Sequence, residues 1–167
     1  WQALMEKGGE LNIKPIGYNA LEMLRVEAGI PVYGVDMDES NIPIEAGLWD
    51  ALDFEKGCYV GQEVVARIKW RGHVNWHLVG FESESEVVPN VGDEIFSDER
   101  KIGRITSSIL SPTSNKPLSL GYIRREFKEV GTEVSIKNPD ESLVGAKVKE
   151  LPFYRGTFKT TENVASS

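Results

Sequence analysis

The stretch KIGRITSSIL, Lys101 to Leu110, places β-branched Ile102, Ile105, Thr106 and Ile109 in one run. Such side chains suit a pleated, half-buried surface. Similar short runs stand on either side of it: HLVGF (77–81), DEIFS (93–97), SLGYI (119–123), TEVSI (132–136) and AKVKEL (146–151). Between them lie VPNVGD, SDER, SPTSNKP and KNPDES, which carry the Gly, Pro, Asn and Asp that turns require. Five to seven short strands at spacings of roughly 8–12 residues read as a small barrel or a sandwich.

Before residue 75 the texture is helical. Trp1, Leu4 and Met5 fall at helical spacing ahead of Gly8-Gly9, so the chain opens inside a helix and without a methionine. That opening reads as the C-terminal part of a longer polypeptide. In PIGYNALEMLRVEAGI (15–30), Pro15 and Gly17 precede a helix of roughly ten residues that stops at Gly29. Its expected buried stripe is Ala20, Leu21, Leu24 and Ala28. YGVDMDESNIPIEAG (33–47) reads as an irregular acidic loop, and GQEVVARIKW (61–70) as a second short helix or turn. The division is therefore 1–75 helical, 76–155 all-β, with a polar tail over 156–167.

Bulk composition narrows the function. The 167 residues are 40% hydrophobic and carry a net charge of −7, which disfavours a sequence-independent grip on DNA or RNA. No apolar run approaches a membrane span, and the first residues lack a signal peptide's charged and apolar regions. One cysteine cannot form an internal disulfide, which suits a reducing compartment such as the cytoplasm or an organelle matrix.

Two residues break the background. Glu27 lies along the edge of the expected apolar stripe, where a carboxylate needs donors. A pterin-like ring, with two parallel N–H groups, would supply them in fork geometry. An ion pair with Arg25, Arg67 or Arg71 would serve equally, and structural pairing is the commoner fate. Cys58, in KGCYVGQE (56–63), lies between Gly57 and Gly61, beside Lys56 and ahead of an expected helix start. Cations and helix N-termini favour the reactive thiolate, whereas free cysteines more often fill space.

Other constellations fail. His73 and His77 share one face but lack a further ligand for a metal set. DMDESN (36–41) lacks the glycine and the late glutamate of a calcium loop. There is no Gly-rich phosphate loop and no Ser–His–Asp order. Trp70 and Trp76 bracket RGHVN, which reads as hinge packing between the two parts.

KGCYVGQE resembles the K-G-C-Y-x-G-Q-E signature of the YgfZ-type folate-binding proteins, relatives of the glycine-cleavage T-protein. The match covers Lys56, Gly57, Cys58, Tyr59, Gly61, Gln62 and Glu63 and continues through VVAR to Arg67. Leu24 to Leu48 is similar to a segment shared by both branches of that superfamily. The resemblance implies an α+β protein, in which the helix-containing part of a folate-binding domain is followed by a small β-barrel. It implies tetrahydrofolate as cofactor, Glu27 as the pterin anchor and Cys58 as the functional thiol. The YgfZ branch implies support of iron–sulfur cluster assembly or repair in client enzymes, through contact with those clients. The alternative is a tetrahydrofolate-dependent aminomethyltransferase, whose catalytic aspartate lies in an N-terminal part that these residues do not include. A third possibility is a binding module in which KGCYVGQE is a structural turn.

Overall fold

The computed structural model describes residues 1–59, 61–63, 65–66 and 72–154. Two helices lead the chain: α1 (Gln2–Gly8) and α2 (Tyr18–Glu27). Gly17 occupies the N-cap of α2, and Gly29, at φ 68°, takes the left-handed backbone that ends it. Both limits are those the Pro/Gly punctuation implied. Gln62, Glu63, Val65 and Ala66 are also helical, while Arg67, Trp70 and Arg71 lie outside the described residues. So does the expected tail over 156–167.

Six strands follow: β1 (Trp76–Ser83), β2 (Glu94–Ser97), β3 (Arg100–Leu110), β4 (Pro117–Arg124), β5 (Glu133–Lys137) and β6 (Leu143–Lys149). They close into a barrel in the order β1-β4-β3-β2-β5-β6, every pairing antiparallel. Closure leaves no unpaired sheet edge. The interior is filled by Phe81, Ile95, Ile102, Ile105, Ile123, Val134, Ile136, Ala146 and Val148.

β4 is buried on both faces. Ile123 points into the barrel, while Leu118, Leu120 and Tyr122 join Val26 of α2, Leu78 and Ile109 in a second core outside it. Met23, Trp76, Leu151 and Phe153 pack against that second core. The helix is thus bolted to the barrel wall. The segment after β6 returns to it: Phe153 N–H donates to the Glu27 carbonyl at 3.0 Å.

The expected stripe of α2 is corrected here. Leu21 and Leu24 are 52% and 53% exposed, and Ala28 is exposed as well, whereas Arg25, Val26 and Glu27 are buried. The barrel meets the C-terminal turn of the helix, so position along the axis overrides the apolar period. The acidic loop is also more than a solvated connection, because Asp36, Ile44 and Ala46 within it are buried.

His77 is half-buried on β1, and its pKa is held below the ordinary 6.5 by burial first and then by the charges of Lys128 and Arg125. A depressed folded-state pKa means the unfolded chain takes up the proton more readily. The contribution to stability is therefore intact above pH 6.5 and is lost as pH falls below it. His77→Gln is expected to flatten the acid side of a Tm-against-pH curve. An unchanged slope would show that the loss arises elsewhere.

Candidate functional site

The junction between α2 and the barrel carries a dense network of buried polar groups. Arg25, in the last turn of α2, donates from Nη1 to Asp36 Oδ2 at 2.7 Å and to the Ile30 carbonyl at 3.2 Å. Its Nη2 reaches Ser107 Oγ at 2.6 Å, and its guanidinium also pairs with Glu22. Asp36 is 1% exposed and is satisfied on both oxygens. Oδ1 accepts from Thr106 Oγ1 at 2.6 Å and Ser107 Oγ at 2.7 Å, and Oδ2 accepts the Val32 N–H at 3.0 Å besides Arg25. Thr106 and Ser107 are neighbours on β3, and both are buried. The register of β3 against β4 shifts between Ile105 and Ser107. That bulge turns two successive hydroxyls toward one carboxylate, which regular alternation forbids.

Glu27 sits two residues away and grips a different part of the barrel. Its Oε1 accepts from Ser111 Oγ at 2.5 Å and from the Thr113 N–H at 3.3 Å, and its Oε2 accepts from Thr113 Oγ1 at 3.1 Å. Ser111 in turn accepts the N–H groups of Thr113 and Ser114. The buried carboxylate therefore organises the SPTSNK turn between β3 and β4. The alternative of an ion pair to Arg25 is corrected: Arg25 is committed to Glu22 and Asp36. Arg67 and Arg71 are outside the described residues. A carboxylate offers about four acceptor positions, so three bonds leave capacity on Oε2.

The described signature residues take no part in the hydrogen bonds of Glu27. Lys56 Nζ lies 4.8 Å from the Tyr59 ring centroid, a cation–π contact across exposed Cys58. Gly61 has φ 89°, which explains a glycine there. Gly57 has no neighbour within 4 Å of where a Cβ would stand. Gln62 and Glu63 begin the following helical residues. Among the described residues, the hydrogen bonds of Glu27 go to the barrel turn.

A third feature escaped the sequence reading. A cavity of about 440 Å³ opens between the 40–45 loop and strands β1, β3 and β4, lined by Glu45, Trp76, Lys101, Arg104 and Tyr122 among others. Of the two tryptophans expected at a hinge, Trp76 packs on the second core, which includes Val26 of α2, and has the Arg124 guanidinium 5.1 Å from its ring, while Trp70 lies outside the described residues. The one local hint of the network was the run of hydroxyls Thr106-Ser107-Ser108 between the isoleucines Ile105 and Ile109. Among the described residues there is no cluster of metal-ligating side chains and no helix long and apolar enough to cross a membrane.

A short helical segment locked by buried polar bonds to a closed six-stranded antiparallel barrel is the architecture on view. Residues 77–155 match the glycine cleavage T-protein C-terminal barrel domain, and residues 1–56 match the GCVT N-terminal domain. These matches place the chain in the glycine-cleavage T-protein superfamily. Similar proteins include aminomethyltransferases of Halalkalibacterium halodurans, 36% identical over 93% of this chain, and of Caldanaerobacter subterraneus, 33% identical over 95%. Each alignment covers 42% of the relative, so the chain spans about two fifths of the length of these curated proteins. Among solved structures it resembles the glycine cleavage system aminomethyltransferase T of Bartonella henselae. The TM-score there is 0.80 at 28% identity, over 92% of this chain and 43% of that one.

Proposed function

We propose that this chain is the barrel-bearing, C-terminal portion of a tetrahydrofolate-dependent aminomethyltransferase, forming one wall of its folate site. The names of its relatives favour this reading over the iron–sulfur accessory role. The observation that carries it is the state of Glu27. Three donors from one turn hold its carboxylate in a fixed orientation, and Oε2 retains acceptor capacity for a ring N–H. Those residues fit a pterin-type ligand. Tetrahydrofolate, when bound, supplies the nitrogen nucleophile that takes up the one-carbon unit. Glu27 orients the ring, and the Arg25–Asp36 network holds α2, and Glu27 with it, against the barrel. A single cysteine fits the reducing cytoplasm or an organelle matrix.

Anaerobic calorimetric titration of tetrahydrofolate tests this. Glu27→Gln is expected to weaken binding roughly tenfold or more, the loss of one hydrogen bond to a charged acceptor. Equal affinity in a folded Glu27→Gln protein would remove Glu27 from the site.

One observation keeps the iron–sulfur reading in view: the complete KGCYVGQE signature with its exposed thiol. Cys58→Ser separates the two. Glycine-cleavage turnover by the parent polypeptide is expected to survive it. Intact turnover together with a failure to restore cluster-dependent enzymes in a host lacking its YgfZ-type protein would support the accessory role.

A further inference from the structure

We propose that the barrel end built from the start of β3 and the end of β4 binds single-stranded nucleic acid, through Arg100, Arg124, Arg125 and Lys128 and the rings of Trp76 and Phe127. This assignment is independent of Glu27 and of the folate reading. The cations of the barrel fall into two sets. Lys101, Lys116, Lys137, Lys147 and Lys149 each pair with a glutamate. Arg100, Arg104, Arg124, Arg125 and Lys128 have no ion pair among the described residues.

Four of the second set gather in one place. Trp76 and Arg124 are partners in the β1–β4 register, and Arg125 N–H donates to the Asn75 carbonyl at 2.9 Å. A 3₁₀ turn, Arg125–Phe127, follows directly. The Glu126 carboxyl within it is held low, by a backbone hydrogen bond first and, among the charges, by Arg100, Arg124 and Arg125. Besides burial, the charges of Lys128 and Arg125 act on His77 of β1. The acids of this segment are Glu126 and Glu129. Asp98 and Glu99, next to Arg100 in the chain, line a recess beside Lys137 and Leu143 instead.

The aromatic partners favour a single strand over an acidic protein surface. The Arg124 guanidinium lies 5.1 Å from the Trp76 ring centroid, and that of Arg100 lies 6.0 Å from Phe127. Unstacked bases pack on guanidinium planes and aromatic rings while their phosphates take up the charge. A surface of carboxylates would use the cations and leave the rings idle. The net charge of −7 belongs to the whole chain. At physiological salt the Debye length is about 8 Å, so carboxylates elsewhere are largely screened from this end.

The test uses the full 167-residue chain and a fluorescein-labelled oligouridylate of about twelve nucleotides. Anisotropy titrations are expected to saturate at about 50 mM salt and to weaken as salt rises. The slope of log K against log salt should be about −2 to −3, for three or four neutralised phosphates at about 0.7 each. Arg125 is exposed, and Arg125→Gln should weaken binding about fivefold and flatten the slope by about 0.7. Lys147→Gln, on β6 and already paired with Glu84 and Glu133, should change neither. Arg124→Lys should keep the slope yet lose about fivefold in affinity, because the charge stays and the plane over Trp76 does not. Absence of saturable binding at low salt would overturn the assignment. So would an equal loss for Lys147→Gln and Arg125→Gln, which would mean diffuse charge and no site. Poly-L-glutamate competing equally per unit charge would make the partner an acidic protein surface, and a DNA duplex binding as tightly would remove the stacking. Either result overturns it.

Discussion

Asp36→Ala is expected to destabilise the protein by about 3–5 kcal/mol, the usual cost of breaking a buried ion pair from one side. The carboxylate takes hydrogen bonds from Arg25, Val32, Thr106 and Ser107, so its removal takes one acceptor from four donors, of which Thr106 retains the Leu120 carbonyl at 3.2 Å. The Arg25 guanidinium, itself buried, would keep Glu22 but lose its interior partner. Urea denaturation followed by near-ultraviolet circular dichroism reads the loss. A double variant that also replaces Arg25 with methionine should recover part of it, because an uncompensated charge then no longer sits in the junction. If Asp36→Ala costs less than about 1 kcal/mol, the typical effect of a point mutation, the network is not what joins α2 to the barrel.

Gly121→Ala and Gly103→Ala should be comparably damaging, each by about 3 kcal/mol, the upper part of the range for overpacking. The two glycines flank the paired residues Arg104 and Tyr122 on adjacent strands. A Cβ at Gly121 would stand 2.5 Å from the Arg104 carbonyl oxygen, and one at Gly103 would stand 2.3 Å from that of Tyr122. Both obstacles are backbone, which cannot rotate away as a flexible side chain does. Relief requires β3 and β4 to separate, and in a closed barrel that strain passes to the other pairings. Gly17→Ala is the control: its Cβ would meet nothing within 4 Å, and its φ of −82° is ordinary. It should shift stability by no more than about 0.5 kcal/mol. Equal midpoints for all three variants would show that close strand approach does not limit this barrel.

The candidate site was legible only in part. Glu27 stood out as a carboxylate beside the expected apolar stripe; Leu21 and Leu24 of that stripe are exposed, and Glu27 is buried instead against the barrel turn that supplies its donors. Their source, a turn 84 residues later in the chain, left no local trace. Asp36 was legible only as one acid among several in DMDES. Its burial depends on a bulge in β3 that turns Thr106 and Ser107 together, and a bulge is a property of two paired strands.

The sequence by itself determined the elements. Six β-runs and the limits of α2 follow from short-range physics: β-branched side chains on pleated backbone, Gly and Pro punctuation, and left-handed glycine at Gly29. Only the tertiary structure decided how those elements are used. The same strand pattern suits a sandwich or a barrel, and the choice comes from the β1–β6 and β2–β5 pairings, whose partners are remote in the chain. Likewise the apolar period of α2 marked Leu21 and Leu24, yet the barrel buries Arg25, Val26 and Glu27. Periodicity reports which residues share a face. Which face is covered depends on surfaces brought there by the rest of the fold.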